Sequence, residues 1–163
     1  MENPNANQQA GPREVHNMST AEQFVGTWEL VSTRFHAEDG TRVDSPYGSD
    51  PQGILMYDAN GFMAAQLCQG HRRPFPTADR KAGDDEQTRA AFESYQAYCG
   101  RYRIDLEESM IIHTVVQSLL PNWVGTEQRR HFTFTDGQLV LRTPPMSIGG
   151  RLVSGELQWK RRD

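Results

Sequence analysis

Two side chains sit where an otherwise apolar pattern leaves little room for them. In residues 125–134 the even positions Gln128, Arg130, Phe132 and Phe134 carry the aromatics and should face inward. Glu127, Arg129, His131, Thr133 and Thr135 then meet water. Arg130 is thereby placed on a buried face, where a guanidinium is costly unless paired or hydrogen-bonded. It is either satisfied by a salt bridge or by snorkelling at the strand end, or it anchors an anionic or carbonyl-bearing ligand. His113 lies in Ile111-Ile112-His113-Thr114-Val115-Val116-Gln117, where both faces are apolar and the phase is ambiguous. A single histidine in such a run is more often a hydrogen-bonded core residue than a catalyst. Placed inward with Val115 and Gln117, it would share a cavity with Arg130 and stay neutral, as a general base requires.

Other chemistries find no support. There is no His-X-His pair and no Cys/His cluster; His16, His36, His71 and His131 are scattered, so no metal site is expected. No glycine-rich phosphate loop opens a helix, and Gly-X-Ser-X-Gly is absent. Cys68 and Cys99 lack the electropositive setting of a thiolate nucleophile.

The elements that must hold Arg130 and His113 are mostly strands. The first runs from about Gly26 to His36, with Trp28, Leu30, Ser32 and Arg34 on one face. Strands at Gly53–Tyr57 and Phe62–Cys68 are joined at Asp58-Ala59-Asn60-Gly61, a tight hairpin signal. Asp84 to Cys99 is predicted as the one helix, with Asp84 and Gln87 at capping-box spacing and Ala91, Phe92, Tyr95, Tyr98 and Cys99 as its apolar stripe. Strands follow near 101–105, 110–118, 125–134, 138–142 and 152–161. The last puts Val153, Gly155, Leu157 and Trp159 on one face, and Arg161 in the same register would seal one end by stacking on Trp28. Eight or nine antiparallel strands in sequence lose their edges best by closing into a barrel.

The chain of 163 residues suits one domain, 21–163, preceded by a disordered leader over 1–20 that is rich in Asn, Gln, Pro and Gly. That stretch has no apolar core of a secretory signal, and no window is apolar enough to span a bilayer. Two cysteines fit a reduced, cytoplasmic protein, and a net charge of −4 argues against a general nucleic-acid binder.

Several segments together carry a family resemblance. They are Gly26-Thr27-Trp28-Glu29-Leu30-Val31-Ser32, Pro46-Tyr47-Gly48, Gly53-Ile54-Leu55-Met56-Tyr57 and Asn60-Gly61-Phe62-Met63. Further on come Tyr95-Gln96-Ala97-Tyr98-Cys99-Gly100-Arg101-Tyr102, Ile112-His113, Ser118-Leu119-Leu120-Pro121-Asn122-Trp123-Val124-Gly125-Thr126, Arg130 and Leu157-Gln158-Trp159-Lys160-Arg161. In order over 24–161, these resemble the lipocalin-like domain family of bacteria and fungi. The resemblance implies a small calycin-type β-barrel, mainly β and closed or nearly closed, and a place in natural-product pathways. Its motif residues map to Tyr98, Tyr102, His113 and Arg130, and to Pro121, Asn122, Trp123 and Gly125. Nitrobindin-type haem barrels also begin near Gly-Thr-Trp, but the rest of their pattern is unmatched, and no cofactor is expected.

The resemblance leaves two functions open. One is a cofactor-free cyclase, isomerase or dehydratase acting on a hydrophobic polyketide- or terpenoid-derived intermediate. There His113 would move a proton, Arg130 would steady an enolate or carboxylate, and Tyr98, Tyr102 or Asn122 would position carbonyls. Tyr57, Trp123 and Phe132 would shape the wall, Gln117 and Gln128 would also face the substrate, and the Gln69–Gly83 loop with the following helix would form a lid. The alternative is a non-catalytic binding or carrier protein for a small hydrophobic ligand. Neither reading calls for nucleic acid or membrane, and a homodimer is left open.

Overall fold

The computed structural model describes residues 20–162, so the expected leader lies outside the described residues except for Thr20. The chain begins with a short helix α1 (Thr20–Phe24), then β1 (Gly26–Ala37), β2 (Arg42–Val43), β3 (Pro51–Tyr57) and β4 (Phe62–Gln69). After helix α2 (Asp85–Glu93) come β5 (Tyr95–Asp105), β6 (Met110–Ser118), β7 (Glu127–Thr135), β8 (Gln138–Arg142), β9 (Met146–Ile148) and β10 (Arg151–Arg161). Each of the main strands pairs antiparallel with its neighbour in the order β1-β3-β4-β5-β6-β7-β8-β10, and β10 pairs back onto β1. The result is a closed eight-stranded barrel with β2 and β9 as short additions. Closure leaves no long ladder unpaired, which is what so many consecutive strands require.

The helix is shorter than its sequence suggests. Asp84 and Gln87 do form the reciprocal capping box, but α2 stops at Glu93. Tyr95 to Asp105 is a strand, so the expected stripe through Tyr95, Tyr98 and Cys99 is not helical. The reason is tertiary: β4 offers a complete ladder to this segment, with Cys68 opposite Tyr95 and Ala65 opposite Tyr98. Aromatic residues suit that pleated surface, and a local helical pattern does not outweigh seven paired positions.

Two bulges change which side chains point inward. In β1 the register with β10 shifts between Leu30 and Ser32, so Val31 is the extra residue. Beyond it Phe35 is buried and Arg34 is exposed, pairing with Glu156 at 3.4 Å; the expected inward run Trp28, Leu30, Ser32, Arg34 therefore breaks after Leu30. In β6 Gln117 pairs with Cys99 but Val115 pairs with Gly100, which leaves Val116 as the extra residue. His113 and Val115 face inward, and Gln117 turns out to solvent. Gly100 permits this crossing, because a Cβ there would collide with the Thr114 carbonyl.

The barrel is plugged where β1 begins and β10 ends. Phe24 of α1 enters this end and meets Phe132, Phe134 and Tyr57 edge-on, at centroid distances of 4.9, 5.0 and 5.7 Å. Trp28 Nε1 donates to the Phe24 carbonyl at 2.8 Å. The Arg161 guanidinium lies 4.4 Å above the Trp28 ring, as the strand register implies, and also donates to the carbonyls of Val25 and Gln23. A cation thus covers carbonyls that the end of α1 leaves without helical partners. Gly26 is required beside it: its φ is +139°, and a Cβ would sit 2.5 Å from Arg161 Nη1.

Replacing Arg161 with Met should remove both the stacking and the carbonyl bonds. A loss of about 2 to 4 kcal/mol is expected, read as a lower urea midpoint. Arg161→Lys should recover only part of it, since an ammonium lacks the planar fork.

Candidate functional site

The opposite end of the barrel is open to an internal cavity of about 470 Å³, a volume that suits a small organic molecule. Its apolar wall includes Phe35, Leu55, Leu67, Leu141, Leu157 and Trp159. Around the mouth stand Phe92 and Glu93 of α2, Leu119, Leu120 and Trp123 from the β6–β7 connection, and Met146 to Ile148 of β9. The helix after the 69–83 loop thus borders the cavity, while no residue of that loop lines it.

A polar chain runs from the plugged end into this cavity. His113 is 1% exposed on β6. Its Nε2 lies 2.8 Å from the Tyr57 hydroxyl of β3, and its Nδ1 lies 2.9 Å from the Tyr98 hydroxyl of β5. Burial lowers the His113 pKa from 6.5 to about 3, and the Arg130 charge pushes the same way. Burial raises both tyrosines, with the Arg130 charge opposing the rise. At neutral pH the chain is therefore a neutral imidazole between two neutral phenols.

Arg130 on β7 is 6% exposed and lines the cavity beside Tyr98. Its Nη1 donates to the Arg129 carbonyl at 2.7 Å, and its Nη2 donates to Gln128 Oε1 at 3.3 Å. Among the described residues, no carboxylate forms an ion pair with it. Glu93 is the one carboxylate among the described residues that lines the cavity, and it is exposed at the mouth. A guanidinium so enclosed, held by two neutral acceptors and no carboxylate, keeps part of its desolvation cost, which an acceptor entering the cavity would offset.

The remaining expected site residues divide clearly. Trp123 lines the cavity and packs edge-on against Tyr98 at 5.4 Å. Gln128 does not line it but holds Arg130 in place. Tyr57 lies behind His113 rather than in the wall, and Phe132 belongs to the aromatic plug. Three residues lie away from the cavity. Tyr102 donates its hydroxyl to the Asp58 carbonyl at the hairpin turn, Gln117 faces solvent because of the bulge, and Asn122 is exposed on the 3-10 turn Pro121–Trp123. Tyr47 and Trp159 are among the lining residues that escape the sequence pattern as site residues. Tyr47 reaches in from the β2–β3 connection and donates to Gln96 Oε1 at 2.6 Å, while Trp159 reads in sequence only as a packing residue of the last strand. The Pro46-Tyr47-Gly48 segment is the signal for Tyr47. The Trp159 indole N–H is buried with no acceptor among the described residues.

The low His113 pKa makes stability depend on acid. Between 6.5 and about 3 the unfolded chain takes up a proton that folded His113 refuses. Stability from this group is therefore full above 6.5 and is lost as pH falls through that window. A loss on the order of 3 kcal/mol is expected between pH 7 and pH 4. Urea midpoints measured across that range should fall, and His113→Asn should flatten the dependence.

The sequence profile of the lipocalin-like domain family matches residues 25–162. A curated relative, the 4'-hydroxy-3'-methoxypropiophenone carrier protein ppsC of Aspergillus oryzae (strain ATCC 42149 / RIB 40), is 34% identical over 106 residues, which are 61% of this chain and 96% of that protein. Barrel, register and profile agree, and the chain belongs to the lipocalin-like domain family.

Proposed function

We propose that the protein binds and carries a small, largely apolar molecule bearing an acceptor oxygen, and releases it chemically unchanged. The observation behind this reading is the enclosed Arg130 guanidinium, which has no carboxylate partner among the described residues, at the wall of an otherwise apolar cavity. Such a cavity buries a hydrophobic ring and gives its oxygen one strong donor, which is sufficient for retention. The relative named as carrier of an aromatic ketone supports an aryl ketone of a secondary-metabolite pathway as the cargo.

The cyclase or isomerase reading has less support. Both ring nitrogens of His113 are engaged by tyrosines, and a pKa of about 3 makes the imidazole a weak proton acceptor. What still favours chemistry is the Tyr98 hydroxyl beside Arg130, a pair that would polarise a carbonyl.

Titration with 4'-hydroxy-3'-methoxypropiophenone, followed by quenching of Trp123 and Trp159 fluorescence, should give a Kd on the order of 1–10 µM. Arg130→Ala should weaken binding about tenfold or more. After prolonged incubation, mass spectrometry should recover the ketone unchanged. An isomerised, cyclised or dehydrated product formed at a rate that depends on Tyr98 and Arg130 would replace the carrier reading with the enzymatic one.

A further inference from the structure

The proton positions in the Tyr57–His113–Tyr98 chain can be assigned by counting partners. Neutral imidazole has one N–H donor and one acceptor nitrogen, so opposite roles fall on Nδ1 and Nε2. Tyr57 is 2% exposed, and its hydroxyl has a single partner among the described residues, His113 Nε2. Around it lie the rings of Phe24 and Tyr102, and the Tyr102 hydroxyl is itself committed to the Asp58 carbonyl. If Nε2 carried the proton, the Tyr57 O–H would be left buried without an acceptor, which folded proteins avoid. Tyr57 therefore donates to Nε2. Nδ1 then carries the proton and donates to the Tyr98 oxygen.

That polarity has a consequence in the cavity. The Tyr98 oxygen receives the His113 N–H and shares the cavity wall with Arg130, a donor only, so its own proton has neither group as an acceptor. Tyr98 lines the cavity, where an acceptor for that proton can enter, as does Arg130, whose bonds to Arg129 and Gln128 use only two of the five N–H groups an arginine carries. The orphaned Trp159 indole N–H adds another donor in a lining residue. The groups that face Arg130 are His113 on β6, Tyr98 on β5, Gln128 on its own strand and, at longer range, Tyr47 and Tyr57. None of them is an anion at neutral pH.

Resting on the ligand-binding reading above, we infer that the Arg130–Tyr98 pole is a donor-only site that takes its ligand as a conjugate base, through one negatively charged oxygen conjugated to an aromatic ring. A phenolate or an aryl enolate fits this description. Both Nη atoms already give an N–H to the protein, which favours a single oxygen over the paired oxygens of a carboxylate. The ligand supplies the counter-charge that the fold withholds from Arg130. Tyr57 acts as a positioning residue: it never meets the ligand but sets the direction of the chain that turns the Tyr98 proton toward it.

The test uses 4-nitrophenol, whose phenolate is yellow, its neutral ether 4-nitroanisole, and 4-nitrobenzoate. At a pH about one unit below the probe's own pKa, where roughly a tenth is ionised in buffer, the full-length protein should turn bound nitrophenol predominantly yellow. Arg130→Met should abolish the colour and weaken nitrophenol binding about tenfold or more, while nitroanisole still binds and so reports an intact cavity. Tyr98→Phe offers a second route if Arg130→Met does not fold. Tyr57→Phe, outside the cavity wall, should raise the ionisation midpoint of the bound probe and weaken its binding about threefold. Nitrophenol bound as tightly as nitroanisole and colourless would overturn the inference and leave the binding reading standing. Colour that survives in both Arg130→Met and Tyr98→Phe would remove the charge from this pole and overturn it too. Nitrobenzoate bound more tightly than nitrophenol would overturn the single-oxygen choice. If neither nitrophenol nor nitroanisole binds at millimolar concentration, the inference and the binding reading fall together.

Discussion

Everything inside this barrel depends on the ladder between β1 and β10. It runs from Trp28 opposite Arg161 to Ala37 opposite Val153, and it turns an open sheet into a closed wall. A closed wall separates the interior from water on all sides, and the α1 plug removes access from one end. Only under that constraint do single polar groups become consequential. The same Arg130 on an open sheet would find solvent; inside, it finds the Arg129 carbonyl and Gln128. The Arg161 contacts extend this constraint, because they tie α1 to the end of the last strand and hold Phe24 against Tyr57. The plug therefore keeps water from the far side of the Tyr57–His113 hydrogen bond.

Much of this architecture is legible in the alternation of single strands. The inward sets of β7 and β10 come directly from period two, and so does the approach of Arg161 to Trp28, which needs only that both end strands share one register. What alternation misses is any place where a strand contains one residue too many. Val31 and Val116 are ordinary strand formers, and nothing local marks them as bulges; the register of the neighbouring strand decides. Each bulge flips the phase of the residues beyond it, which is why Arg34 and Gln117 face out. The start of β5 is hidden for a similar reason. Tyr95 to Cys99 continues a plausible helical stripe, and only pairing with β4 converts it to strand. Phe24 escapes notice because α1 is five residues long, too short for periodicity to register.

The site is readable as residue types more than as geometry. His113 and Arg130 stand out because each is polar on a face that should be apolar, and both are buried. Their partners do not stand out. A tyrosine in a strand can cap a core, line a wall or cross to the opposite strand, and one sequence does not choose among these. Tyr57 and Tyr98 belong to different strands, and the closed wall brings them onto the two nitrogens of one ring. Tyr102, further along the same strand as Tyr98, carries the same side chain and is spent on a hairpin carbonyl. The distinction rests on position around the barrel, which depends on the bulges as much as on the strands themselves.

The balance between holding a molecule and transforming it derives from the same constraint. Catalysis by proton transfer requires a group that can change its protonation state against the substrate. In this interior, burial keeps the imidazole neutral and makes the phenols harder to ionise, and the two tyrosines occupy both nitrogens of His113. The groups best able to move protons are thus used to satisfy one another. Arg130 is different: the protein gives its guanidinium neutral acceptors instead of a carboxylate. A fixed positive charge at the wall of an apolar cavity favours an electron-rich oxygen and exerts that preference before any reaction begins. Under the proposed binding reading, this arrangement would discriminate among ligands by charge and by which of them can accept hydrogen bonds. It is the physical ground for the proposed reading of the barrel as a carrier rather than a catalyst.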